Sequence, residues 1–156
     1  MLSIKTVVDV HGTTPRAILE FMLNCTDEDY QRWWPEEHLV FHTLKRYPGD
    51  IGNLVYFDEY VGKRRIKFRG IVTEVVPGAR VVWQMKIGVK VPVWLILECV
   101  DILEGVRVIH SLNAGFSGVG KVLDPFLRIH LSRNFEKDLE LHAKTEFPKL
   151  AALLAH

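Results

Sequence analysis

Residues 54–87 read LVYFDEYVGKRRIKFRGIVTEVVPGARVVWQMKI, and this stretch decides the fold. Gly62-Lys63 and Pro77-Gly78 are turn pairs that cut it into three strands. A two-residue turn at the first pair sets Tyr60 opposite Arg65, Asp58 opposite Lys67 and Tyr56 opposite Arg69, sensible partners for a solvent-facing side. The other side then carries Val55, Phe57 and Glu59 against Gly70, Phe68 and Ile66. The second turn extends that side with Val72, Val81, Trp83, Met85 and Ile87, and leaves Arg69, Thr73, Gln84 and Lys86 outside. Two hairpins thus agree on one apolar wall. A one-residue bulge would shift the pairings but not the alternation.

Working outward, residues 3–10 read as a strand. Thr14-Pro15 then opens a short helix whose apolar face is Ile18, Leu19, Phe21 and Met22. Thr26 caps a second, with Asp27, Glu28 and Asp29 where the helix dipole favours acids, and Trp33-Trp34-Pro35 ends it. Turn signals at Pro48-Gly49-Asp50, Gly88 to Pro92 and Glu104-Gly105 complete an antiparallel meander of six strands over 37–116. The last hairpin faces Leu97, Cys99, Val108, His110 and Leu112 inward. After a Gly-rich stretch, Asp124-Pro125 repeats the cap-plus-Pro signal, predicting one helix of roughly 30 residues to the end, kinked near Pro148. Its inward stripe is Phe135, Leu139, His142, Glu146, Leu150 and Leu153. The order β-α-α-β6-α is α+β, with a sheet of about seven strands curled around the long helix.

The chain has 156 residues, the length of a single domain spanning 1–156. Lys plus Arg is 20 and Asp plus Glu is 19, which argues against nucleic acid as a partner and gives no polybasic membrane signal. Cys25 and Cys99 have no metal-finger spacing and make no disulfide framework, so reduced thiols and a cytoplasmic setting are expected. No signal peptide is recognisable, and no apolar run is long enough for stable membrane insertion. Oligomeric state is not legible.

Trp34-Pro35 before the second strand, the run Phe68 to Trp83 and the long C-terminal helix resemble the helix-grip fold of the START and birch-pollen-allergen superfamily (SRPBCC), including its polyketide cyclase/dehydrase and lipid-transport groups. That resemblance implies a hydrophobic cavity between sheet and helix for a lipid-like, aromatic or polyketide-like molecule. The expected function is binding or transport of such a molecule. The alternatives are a cyclase/dehydrase-type enzyme moving protons on an enolisable substrate, and a protein-interaction module with a collapsed cavity.

The candidate cavity wall is Val55, Phe57, Phe68, Gly70, Trp83 and Met85, with Phe126 and Leu127 of the helix; the alternative is a filled core. Glu59 and His110 point inward and are candidate catalytic groups or polar anchors, or else a satisfied buried pair. His142 and Glu146 lie one helical turn apart, and the second helix should bring His38 beneath them. Two histidines and a carboxylate suit zinc or iron, and equally a proton-transfer pair or a structural hydrogen bond. His42 cannot join His38 on one ion, since four residues along a strand span about 13 Å. Gly115 to Val122 matches a phosphate-binding loop up to its last position, where Val122 replaces the hydroxyl residue; in an antiparallel meander it reads as a Gly-rich gate. Lys63-Arg64-Arg65 reads as solvated surface, and Cys99 as a small buried apolar group that could otherwise pair with His110.

Overall fold

A computed structural model of the chain describes residues 2–115, Lys121, Pro125 and 131–155. The elements run β1 (Leu2–His11), α1 (Pro15–Leu23), α2 (Asp27–Trp33), β2 (His38–Lys45), β3 (Leu54–Val61), β4 (Arg64–Val76), β5 (Arg80–Ile87), β6 (Val89–Ile102), β7 (Gly105–Ala114) and α3 (Arg133–Leu154). The strands form one antiparallel sheet in the order β1-β7-β6-β5-β4-β3-β2, so β1 returns beside the last strand and α1 and α2 bridge the sheet's two edges.

The register follows the turn chemistry. Tyr60 pairs with Arg65, Phe57 with Phe68 and Val55 with Gly70. Val72 pairs with Trp83 and Gly70 with Met85, and a bulge between Val72 and Glu74 absorbs one residue without flipping the wall. Leu97 lies opposite His110 and Cys99 opposite Val108. Val55, Phe57, Val72, Val81 and Trp83 are buried, as the alternation requires. Ile87 departs from it: 71% exposed, it extends the wall past the cover of α3.

The helices begin where a side chain replaces a missing backbone partner. Thr14 accepts from the Ala17 amide, Thr26 from Asp29 and Ser132 from Phe135. The long helix therefore starts at Arg133, not after Asp124-Pro125; its 22 residues make about 33 Å. It continues through Pro148 to Leu154, and the proline removes one intrahelical donor. Its buried side is Phe135, Leu139, His142, Ala143, Glu146, Phe147, Leu150 and Ala151, with Leu153 half-buried. Phe126, Leu127 and the Gly-rich 116–120 and Val122 lie outside the described residues.

The space between α3 and the sheet is filled at one end. Tyr30, Trp33, Phe41, Phe57 and Phe147 form a continuous ring cluster there, with Phe41 and Phe57 stacked at 4.0 Å and Trp33 edge-on to Tyr30 at 5.7 Å. Such ring pairs add about 0.5–1.5 kcal/mol each beyond their burial. At the other end the sheet carries smaller aliphatic side chains, and a cavity of about 450 Å³ remains.

Candidate functional site

Four side chains from three elements converge at the boundary between the filled and open ends. His38 is the first residue of β2, Glu59 lies opposite it on β3, and His142 and Glu146 are one turn apart on α3. The backbone explains the meeting. Trp34 ends α2, the His38 amide donates to its carbonyl, and the chain enters β2 with the His38 ring directed inward and fully buried. The odd-numbered face of β3 delivers Glu59, and the stripe of α3 delivers the other two.

One ligand atom from each residue lies within 4.8 Å of all the others. His38 Nε2 is 3.1 Å from Glu146 Oε2 and 3.7 Å from Glu59 Oε2. His142 Nε2 is 3.1 Å from Glu59 Oε2 and 3.2 Å from Glu146 Oε2. Each imidazole nitrogen thus faces both carboxylates. The Tyr30 hydroxyl donates to Glu59 Oε2 at 2.8 Å, and its ring stacks flat on His38 at 3.9 Å. Trp33 Nε1 donates to the Glu146 backbone carbonyl, tying α2 to α3. His38 Nδ1 is buried without a hydrogen-bond partner, so the stack of Tyr30 holds this ring where a hydrogen bond from behind usually would. Trp34 covers His142 at 4.8 Å.

The electrostatics are those of buried charges that hold each other. Burial alone pulls the His142 imidazole toward neutrality, but the charge and hydrogen bond of Glu146, with Glu59 behind them, raise it to about 10. Burial pushes the Glu146 carboxyl up, and the attraction of His142 and His38 overcomes it and holds the group well below the usual carboxylate range. Tyr30 is raised well above the ordinary phenol value, by burial first and then by Glu59 and Glu146. His110 differs. Desolvation lowers it, against the pull of Glu146 and Glu59, so it is a neutral imidazole at neutral pH.

The sequence-derived residues divide among three environments. Phe68 and Met85 line the 450 Å³ cavity, together with Glu59, His110, Leu112 and Leu139 among others. Phe57 and Trp83 instead border a small void of about 30 Å³ farther in, which Glu59, His110 and Glu146 also touch. Val55 and Gly70 are core: a Cβ at position 70 would meet Val55 Cγ2 at 3.4 Å and Trp83 Cβ at 3.5 Å. Glu59, expected beside His110, belongs to the cluster with His38, His142 and Glu146. His42 turns outward to Asp27 at 2.8 Å, as its strand position requires. Burial raises the Cys99 thiol to about 12, so it is an inert apolar group. Tyr30, Trp33 and Trp34 were not legible as site residues; a seven-residue helix shows too little periodicity to say which way its rings point.

Neither protein-family models nor curated protein sequences match the chain. Solved structures do. The chain is similar to KanY (12% identity, TM-score 0.66, covering 99% of this chain and 98% of that one). It is also similar to major latex-like protein 151 from Panax ginseng (10% identity, TM-score 0.56, 91% and 98%). A third likeness is to the Aha1 dimer from Colwellia psychrerythraea (16% identity, TM-score 0.51, 96% and 99%). These likenesses, with the curved seven-stranded sheet and long C-terminal helix, show that the chain has the helix-grip fold. At such identities the likeness is one of fold.

Proposed function

We propose that the chain binds a hydrophobic small molecule in the 450 Å³ cavity and acts on it as an enzyme, using a divalent metal ion held by His38, Glu59, His142 and Glu146. The observation that carries the metal is the set of four cross-distances, 3.1, 3.1, 3.2 and 3.7 Å. Zinc bonds of about 2.0–2.1 Å place tetrahedral ligand atoms roughly 3.3–3.4 Å apart, near the four His–carboxylate distances; the set as a whole spans up to 4.8 Å, and its wider pairs would draw together around an ion. Two imidazoles and two carboxylates suit zinc, and ferrous iron is the next candidate. The buried Glu146 carboxylate and the half-buried Glu59 carboxylate share one pair of imidazole nitrogens, a negative pair that an ion would neutralise more fully than one protonated histidine.

The open cavity favours this reading over an interaction module with a collapsed interior. Position favours an enzyme over a passive carrier, because Glu59 and His110 line the same space as the ligand. A bound metal supplies a Lewis acid that polarises an oxygen of the ligand. Around it, Phe68, Met85, Leu112 and Leu139 bury the ligand's apolar body, at roughly 25 cal/mol per Å² before ordering costs. Neutral His110, which lines the same cavity, would take a proton from a C–H or O–H of the bound ligand at a ring nitrogen and return it to the ligand. Tyr30 and Trp33 hold the ligating groups and close the inner end against water.

Cobalt titration of chelator-treated protein tests the reading. Tetrahedral cobalt gives strong visible absorption, which Glu59→Gln and His142→Ala should abolish while a His110→Gln variant keeps it. Unchanged binding in both of the first two variants contradicts the assignment, and so does the absence of any visible band in the wild type.

A further inference from the structure

The apolar wall does not stop at the mouth of the cavity. Ile87 and Val89, at the tip of the β5–β6 hairpin, carry it beyond the cover of α3 and are each 71% exposed. Gly88 makes the turn at φ 71°, and Lys86 and Lys90 pair on either side of it. The β3–β4 hairpin turns at the same end of the sheet, because Arg69 near the start of β4 lies opposite Lys86 near the end of β5. It carries Lys63, Arg64, Arg65 and Lys67, all exposed. Residues 61–68 and 85–91 together hold six Lys and Arg and no acid, on a chain whose net charge is only +1. Arg64, Arg65, Lys67 and Ile87 line the cavity mouth. Asp58 engages Arg65 at 2.8 Å, Asp138 lies against Gly62, and the Arg64 guanidinium sits 5.4 Å from the Phe135 ring centre. Among the described residues, Lys63, Lys67, Lys86 and Lys90 make no ion pair, so the rim stays basic after those contacts.

Its composition selects the partner. A second copy of the chain meeting this rim about a two-fold axis would set six cations against six. Single-stranded nucleic acid is held by exposed rings on which bases stack; the β5–β6 tip exposes the aliphatic Ile87 and Val89 instead, and the β3–β4 tip exposes only Gly62 and cations. Exposed aliphatics flanked by lysines are the composition of segments that settle into an anionic bilayer surface.

We propose that the cavity rim docks on an anionic lipid bilayer, with Ile87 and Val89 entering the headgroup region. The hydrophobic ligand then passes between bilayer and cavity along the continuous apolar wall. This needs the cavity of the proposed function but not the metal.

Flotation with phosphatidylcholine vesicles, with and without about 30% phosphatidylglycerol, tests it. At low salt, partitioning to the anionic vesicles should exceed that to neutral ones by about tenfold or more, and about 0.5 M salt should abolish it. Ile87→Ser/Val89→Ser and Lys86→Gln/Lys90→Gln should each weaken partitioning about tenfold with the melting temperature unchanged, since Ile87, Val89 and Lys90 are exposed and the half-buried Lys86 is replaced by a side chain of similar length. No partitioning, equal partitioning to neutral vesicles, or indifference to both double variants overturns the proposal. So does loss of self-association or of oligonucleotide binding in those variants when vesicles are not bound. Uptake of the fluorescent probe 1-anilinonaphthalene-8-sulfonate separates the two readings. A chain that takes up the probe but does not float contradicts the docking alone; one that floats but takes up no probe contradicts the cavity alone.

Discussion

The two ends of the cleft under α3 are built from the same helix and the same sheet, yet one is solid and the other hollow. At the C-terminal half of the helix, Ala143, Phe147, Leu150 and Ala151 are almost fully buried, and α2 packs Tyr30 and Trp33 into the remaining gap. At the N-terminal half, Phe135 and Leu139 join Val93 and Leu112 in a second, smaller apolar cluster that borders the 450 Å³ cavity. The difference is α2. Its seven residues plug one end with rings, and among the described residues no comparable helix covers the other. The four-residue cluster sits at the junction, where a dry wall meets a space that a ligand can enter. Strong electrostatics and access to a small molecule are compatible only at such a boundary.

The largest expected effect breaks the closed end. Glu146→Ala removes one of two carboxylates facing two buried imidazoles, and should cost the metal-free protein about 3–5 kcal/mol in urea unfolding. A loss below about 1 kcal/mol would mean that the cluster is solvated.

Enlarging side chains should separate the ends next. Ala143→Leu overpacks the solid end and should cost about 1–3 kcal/mol. Leu139→Trp grows into the hollow end; it should change stability by less than about 1 kcal/mol and weaken uptake of a hydrophobic probe at least about tenfold. Equal destabilisation by both would deny the contrast.

The pH dependence of the metal-free protein follows from the cluster. His142 is raised from 6.5 to about 10, so its contribution is complete below about 6.5, falls as pH rises and is gone above about 10. Glu146 is lowered from 4.5, so its contribution is complete above about 4.5 and is lost as pH falls below that value. The urea midpoint should therefore fall as pH rises from about 6.5 toward 9, and His142→Gln should flatten that decline; below about 6.5 the buried neutral His110 acts in the opposite direction, because it takes up a proton on unfolding. A midpoint that rises from pH 7 to 9 would contradict the assignment.

The smallest effects come from the helix caps. Thr26→Ala and Ser132→Ala should each cost about 1 kcal/mol. Only Thr26→Ala should also weaken metal binding, because α2 carries Tyr30 and Trp33 onto the cluster while Ser132 caps the open end.

Much of this was legible in the chain. A two-residue turn at Gly62 fixes the register of β3 and β4, and the register alone turns Glu59 inward. The four-residue spacing of His142 and Glu146, with Trp34-Pro35 ahead of His38, brings three of the four cluster residues together. What stayed hidden depends on tertiary placement. Glu59 and His110 share the inward face, and only the path of α2 decides that Glu59 joins the histidines instead. Of the expected cavity wall, Phe68 and Met85 line the large cavity, Phe57 and Trp83 border only the small void, and Val55 and Gly70 pack in the core, because alternation says which face is apolar and not where packing stops. The start of α3 was misplaced because Asp124-Pro125 and Ser132 are both good caps, and propensity does not rank them.

The central claim is that the cluster holds a metal ion, and the most direct measurement is elemental analysis of protein purified without a histidine tag. About one equivalent of zinc or iron per chain, lost in the His142→Ala/Glu146→Gln variant, is the predicted result. Less than about a tenth of an equivalent of any transition metal, in protein that also fails to take up zinc or ferrous iron afterwards, would contradict it.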